Sequence, residues 1–260
     1  MAVPDFGAQI SISPAVELAV LPLGAMESHG PHLPLDTDSF LATALLERAA
    51  GLVAGEGTVL RLPALWLGAS GEHAHANGTL TREPEAVIAD ILAVGAGLAR
   101  AGVRKLLLFN GHGGNVAAAR IAALKLRRRE DMLAASAHWL DFGLPPGLTP
   151  PTPARMDIHG GWLETSLMLH LAPHRVGRDG IAPYEGRAPA AMLFPDGPIA
   201  WGWHTDDFGS GGAHPSANCV GRPDLASAGI GRQLADHASR ALAVLIDQLV
   251  AAPWQPARAG

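Results

Sequence analysis

Lys105-Leu106-Leu107-Leu108-Phe109-Asn110-Gly111-His112-Gly113-Gly114-Asn115-Val116 decides the fold. Four consecutive apolar side chains leave no polar face, so the run reads as a strand covered on both sides, as in the centre of a parallel sheet. The glycines after it let the backbone turn and approach a bound group closely. A helical pattern begins at Val116 and runs to about Arg128. Strand, short loop and helix in that order form half of a βαβ unit, and open α/β sheets carry their chemistry at the carboxyl ends of such strands.

The same alternation extends in both directions. Glu17 to Leu23, Thr58 to Leu62 and Leu133 to Ala137 read as further strands. Helices are expected over residues 39–52, from Glu83-Pro84-Glu85 through Leu98, over Gly161–Leu171 and from about Asp224 to Leu249. Proline suits the first turn of the second of these and stops the third at Pro173. The expected class is α/β, a three-layer α/β/α sandwich with a mostly parallel central sheet. Neither a repeat nor a domain boundary is visible, so residues 1–260 read as a single domain. Residues 177–223, rich in glycine and proline, are long for a loop and read as a functional cover or an oligomer contact containing short strands.

The 260 residues are 48% hydrophobic and 17% charged, enough for one sizeable core, with a formal charge of −5. That balance points away from nucleic acid and anionic membranes as partners. The single cysteine, Cys219, excludes a disulfide framework and a multi-cysteine metal site, and it reads as a small buried residue. The first seven residues lack the pattern of a signal peptide, and no apolar run reaches the ~20 residues of a membrane span, so a cytoplasmic location is expected. Twelve histidines against one tyrosine favour a metal enzyme with nitrogen and oxygen ligands.

The richest cluster of such ligands follows the first strand. Glu27 and His29 are two residues apart and share a side in extended chain. Gly30, Pro31 and Pro34 turn the chain, and Asp38 arrives where a helix begins. Carboxylate and imidazole suit zinc, manganese or iron(II) alike. Singly, each has a plainer reading: Asp38 or Asp36 as a helix cap, Glu27 as a surface charge, His29 as a loop histidine. His112 joins them as a ligand candidate. A phosphate-binding loop is the rival there, but neither GxGxxG nor GxxxxGK[ST] is present. Glu164, in the first turn of its helix, suits the helix dipole and is also placed to turn onto a metal. His159, two residues before Gly161, is the candidate proton carrier. His73 and His75 alternate as Glu27 and His29 do and are assigned to the substrate pocket, together with Gly113, Gly114 and Trp162. A shared carboxylate is needed if two metals lie ~3.5–4 Å apart, and Asp38 is the best candidate for it. No GxSxG nucleophile elbow exists; Gly209-Ser210-Gly211 does not follow a buried strand.

These motifs resemble the creatininase (creatinine amidohydrolase) family. The matching stretches are Pro22-Leu23-Gly24 through Glu27-Ser28-His29-Gly30-Pro31-His32-Leu33-Pro34-Leu35-Asp36-Thr37-Asp38; Glu72-His73 with Gly78-Thr79; Asn110-Gly111-His112-Gly113-Gly114-Asn115; and His159-Gly160-Gly161 with Glu164-Thr165-Ser166. They cover most of residues 16–175 in the family's order. The resemblance implies a dinuclear centre of two divalent ions, zinc first with manganese or iron as alternatives. Glu27, His29, Asp38 and His112 are the implied ligands, Asp38 bridging, with Glu164 a fifth. It also implies proton transfer by His159 and a homo-oligomer, often a hexamer. The implied reaction is cleavage of a C–N bond in a small amide, formamide or cyclic amide by metal-bound hydroxide. Creatininase proper has a glutamate where this chain has Gly114. The HGGN form resembles branches that act on formamides and on peptide-derived or other cyclic amides, with Glu164 standing in for the missing carboxylate. The alternatives are a metal-dependent hydrolase or isomerase of sugars or phosphoesters, and a non-catalytic ligand-binding module.

Overall fold

A computed structural model describes residues 12–54, 58–152, 157–184, 202–208 and 218–254. Four strands, β1 (Leu18–Leu23), β2 (Val59–Arg61), β3 (Lys105–Asn110) and β4 (Leu133–His138), form one parallel sheet in the order β2-β1-β3-β4. Among the described residues five α-helices connect or follow them: α1 (Thr37–Ala50), α2 (Pro84–Arg100), α3 (Asn115–Arg129), α4 (Trp162–Leu171) and α5 (Ala228–Ala251).

The sheet divides the core in two because successive side chains leave a strand on opposite faces. Leu18 and Val20 of β1, with Leu107 and Phe109 of β3, pack against α1, α4 and α5. Ala19, Leu21, Leu106 and Leu108 pack on the other face against α2 and α3. Both faces being covered explains why β1 and β3 read as continuous apolar runs. The result is the expected three-layer α/β/α sandwich.

Local chemistry sets the helix ends. Pro84 occupies the first turn of α2, where its missing N–H is no loss. Ser227 caps α5, its hydroxyl accepting from the Ile230 N–H. Asp157 holds the start of α4 from outside the helix: its carboxylate accepts from the N–H groups of Trp162 at 2.7 Å and Leu163 at 3.0 Å. Asp36, the residue before α1, makes no side-chain cap and pairs instead with Arg175.

The strand order reverses at β1: α1 leads outward to β2, and α2 returns the chain to β3 on the opposite side. The carboxyl ends of β1 and β3 therefore diverge into a crevice at the switch point, the usual ligand position in such sheets. The described parts of 177–223 contribute short 3-10 turns and single bridges, His159 to Val220 and Tyr184 to Gly221. The rest of the segment expected to contain short strands, 185–201 and 209–217 with Gly209-Ser210-Gly211, lies outside the described residues, as do residues 1–11.

Candidate metal centre

The crevice between β1 and β3 gathers the ligand candidates. Glu27 and His29 come from the loop after β1, Asp38 from the first turn of α1, His112 from the loop after β3, and Glu164 from the first turn of α4. Glu27, His29, Asp38, His112 and His159 are all buried. Their donor atoms form three overlapping groups, each within 4.8 Å: Glu27, Asp38 and His112; His29, Asp38 and Glu164; Glu27, His29 and His159.

Asp38 belongs to the first two groups through different oxygens. Its Oδ1 lies 3.1 Å from His29 Nε2 and its Oδ2 3.0 Å from His112 Nδ1. Glu27 Oε1 is 3.2 Å from His112 Nδ1, and Glu164 Oε1 is 3.9 Å from His29 Nε2. Asp38 Oδ2 and Glu27 Oε2 are buried without a hydrogen bond in proper alignment. Buried carboxylate oxygens without such partners are costly unless a cation satisfies them.

Backbone carbonyls orient the histidines. His29 Nδ1 is 3.1 Å from Glu27 O, His112 Nε2 is 2.8 Å from Ala69 O, and His159 Nε2 is 2.7 Å from Ser28 O. A carbonyl only accepts, so these outer nitrogens carry the protons. The inner nitrogen of each ring then faces the carboxylates: at His159 it presents a lone pair, and at His29 and His112 it is the nitrogen from which a metal ion would displace a proton. Donor type, burial and orientation thus all fit a divalent ion.

The electrostatics agree. Burial opposes charge on His29, but Asp38, Glu164 and Glu27 outweigh it and raise the ring to about 10. Against the same burial, Glu27 and Asp38 hold His112 well above its usual range. Burial, reinforced by Asp38, lifts Glu164 to about 7 despite the nearby His29. The centre favours positive charge among its carboxylates.

The loop Asn110–Asn115 is a bracket. Asn110 closes it, its Nδ2 donating to His112 O at 2.6 Å and its Oδ1 accepting from His112 N at 3.1 Å. Asn115 ties the β1 end to the 68–70 loop, donating to Gly24 O at 2.9 Å and accepting from Ala69 N at 3.0 Å. Gly114 has to be small. A Cβ there would collide with Ala69 O and lie 2.7 Å from Glu72 Oε1 and 2.6 Å from His112 Nε2. The space beside Gly114 is therefore filled by Ala69, Glu72 and His112, while Glu164 lies against His29 and Asp38.

The expected substrate-pocket residues separate. His73 joins the centre: it is buried, its Nε2 is 3.7 Å from Glu27 Oε1, and its ring stacks on His159 with 3.9 Å between centroids. His75 is exposed and faces His204. The alternation rule fails between them because Gly71–His73 forms a 3-10 turn, not extended chain. Trp162 also departs from expectation: it is 0% exposed and packs in the core beneath α4, so it presents no surface to a substrate. Gly113 is exposed, with open space around it.

Several site residues carried no ligand pattern of their own. His32 is buried with Nε2 3.0 Å from Gly160 O and 2.9 Å from Thr165 Oγ1, so it clamps the loop that delivers His159 and Glu164. Thr205 and Asn218, from the glycine-rich segment, contact His73. Their distance in sequence, more than 130 residues, hid them.

Comparison with known proteins places the chain among relatives of one family. Residues 2–246 match the sequence profile of the creatininase family, described as creatinine amidohydrolase. The chain is 34% identical over 254 residues to the mycofactocin precursor peptide peptidase of Mycobacterium tuberculosis (strain ATCC 25618 / H37Rv), covering 95% of this chain and 88% of that protein. It is 32% identical over 196 residues to the creatinine amidohydrolase of Pseudomonas putida, covering 69% of this chain and 74% of that protein. Among solved structures, a mutant creatininase of the Zn-Zn type superposes with a TM-score of 0.73 at 25% identity, covering 91% of this chain and 92% of that one. The fold and the buried donor set define an α/β protein with residue groups able to hold a metal ion. More particularly, the chain belongs to the creatininase family of amidohydrolases.

Proposed function

We propose that this protein hydrolyses the C–N bond of an amide at a centre of two divalent ions. The observation that carries the reading is the placement of Asp38, whose two oxygens face the inner nitrogens of His29 and His112 and so serve two donor sets at once. Glu27 and His112 complete one set with Asp38; His29 and Glu164 complete the other. Ions held there supply an acidified water and a polarised carbonyl. The Zn-Zn description of the creatininase structure supports zinc as the first ion to test.

The chain's own residues account for proton movement. His159 has Nε2 fixed on Ser28 O, which leaves Nδ1 directed at the cluster, 3.7 Å from Glu27 Oε1. Burial, with His73 and His29 close by, keeps its ring well below the usual histidine range and hence neutral. Neutral Nδ1 accepts a proton from the attacking water and passes it to the departing nitrogen, so water oxygen bonds to carbon as the C–N bond breaks.

For the substrate, the peptidase relative spans nearly the whole chain, and the glutamate of creatininase proper is replaced by Gly114. Both favour a peptide-derived amide over creatinine. A small cyclic amide or formamide is the second substrate class, favoured by the family and by the P. putida relative.

Metal analysis of wild type and Asp38→Ala tests the proposal. Close to two ions in wild type and their loss in the variant are expected. One ion would remove the bridging role of Asp38, and none after zinc or manganese loading would end the hydrolase reading. His159→Ala should keep the ions and lose most turnover on peptide amides, formamides and lactams; full activity would end its proton-carrier role.

A further inference from the structure

His73 and His159 stack beside the donor cluster, and Asn218 braces both. Asn218 Nδ2 donates at 2.6 Å to Ser28 O, the carbonyl that also receives His159 Nε2 at 2.7 Å. Asn218 Oδ1 lies 3.3 Å from His73 Nδ1. Thr205 Oγ1 is 2.8 Å from the same nitrogen, and its own proton goes to Glu72 O at 2.6 Å. Thr205 therefore also faces His73 as an acceptor. With two acceptors before it, His73 Nδ1 is the protonated nitrogen and Nε2 turns its lone pair toward Glu27 Oε1, 3.7 Å away. Asn218 adopts φ +46°, a left-handed conformation that asparagine tolerates better than most residues. The backbone bends there and delivers one amide to two histidine anchors.

We propose that Asn218 is a positioning residue: its carbonyl oxygen helps to fix the His73 tautomer, and its NH2 group steadies the Ser28 carbonyl that fixes His159. This rests on the reading of His159 as the proton carrier. It also gives a role to the segment 177–223, whose described residues bring Thr205 and Asn218 to the centre.

The test uses full-length, zinc-loaded protein labelled with 15N in its imidazoles. Asn218→Gly removes the side chain and accepts the positive φ without strain, so the fold and zinc content should be retained. In wild type the 15N shifts should show one tautomer each for His73 (Nδ1–H) and His159 (Nε2–H). In Asn218→Gly they should show mixed tautomers, and kcat should fall ~10–100-fold, the range for a lost orienting partner, with KM little changed. Asn218→Asp keeps the acceptor for His73 but not the donor for Ser28, so it should retain the His73 signature and disturb only that of His159. Unchanged 15N signals at both rings in Asn218→Gly would overturn the proposal even if kcat fell. The tautomer signals need no substrate, so a failure to find a hydrolysed amide would count against the catalytic reading and leave the positioning result to stand or fall on the spectra.

Discussion

Each inner nitrogen of His29 and His112 faces two or more carboxylate oxygens, and this sets how the centre responds to pH. In the metal-free protein His29 titrates at about 10 rather than its ordinary 6.5. A raised histidine contributes stability that is fully present below pH 6.5 and is lost as pH rises through about 10. A metal ion has to displace that proton. Zinc uptake is therefore expected to release protons, with affinity climbing from pH 6.5 toward 10. Calorimetry in buffers of unequal ionisation enthalpy reads this directly, and binding heats independent of buffer would refute it. His32 shows the opposite sign: burial lowers it to about 4, so its contribution is present above pH 6.5 and is lost as pH falls through about 4. His32→Gln should flatten the acid limb of a metal-free stability profile. That Glu27, His29, Asp38 and His112 come together was legible in the sequence because their chemical type and their places after strands pointed to one crevice. His75 and Trp162 were misplaced because sequence spacing does not reveal a 3-10 turn or the inward face of a helix start.

At the scale of elements, α4 and α5 pack with almost no clearance. A Cβ on Gly231 of α5 would run into the Ser166 carbonyl oxygen of α4 and lie 2.9 Å from His170 Cβ. Gly231→Ala should therefore destabilise by about 1–3 kcal/mol, the usual cost of overpacking. Because α4 also carries Glu164, the same variant should weaken binding of one ion more than the other. Thermal denaturation and stepwise zinc titration measure the two effects, and an unchanged Tm would mean that the helices part without cost. The strands and helices themselves were readable from period and punctuation: continuous apolar runs for covered strands, Pro84 at one helix start and Pro173 after another end. The contacts of Thr205 and Asn218 were not, since each reaches a distant loop as a single side chain and leaves no periodic trace.

Across the whole molecule, the centre joins loops after β1 and β3, the starts of α1 and α4, and the 3-10 turn bearing His73. An ion bound there links segments that unfolding would separate. At one hundred times its Kd a single ion adds roughly 2.7 kcal/mol. With about 2–4 °C of Tm per kcal/mol for a chain of this size, chelation should lower Tm by roughly 5–10 °C. Scanning calorimetry with and without chelator checks this, and coincident transitions would argue against a bound ion in the native fold. The α/β class was legible from strand–helix alternation alone. The order β2-β1-β3-β4, which opens the crevice, was not, because neighbour choice in a sheet is settled by packing between distant elements. The backbone anchoring of His29, His112 and His159 has an evolutionary consequence. Their aim is set by main-chain carbonyls, which survive most substitutions, so surrounding side chains can drift and reshape the pocket without realigning the three rings.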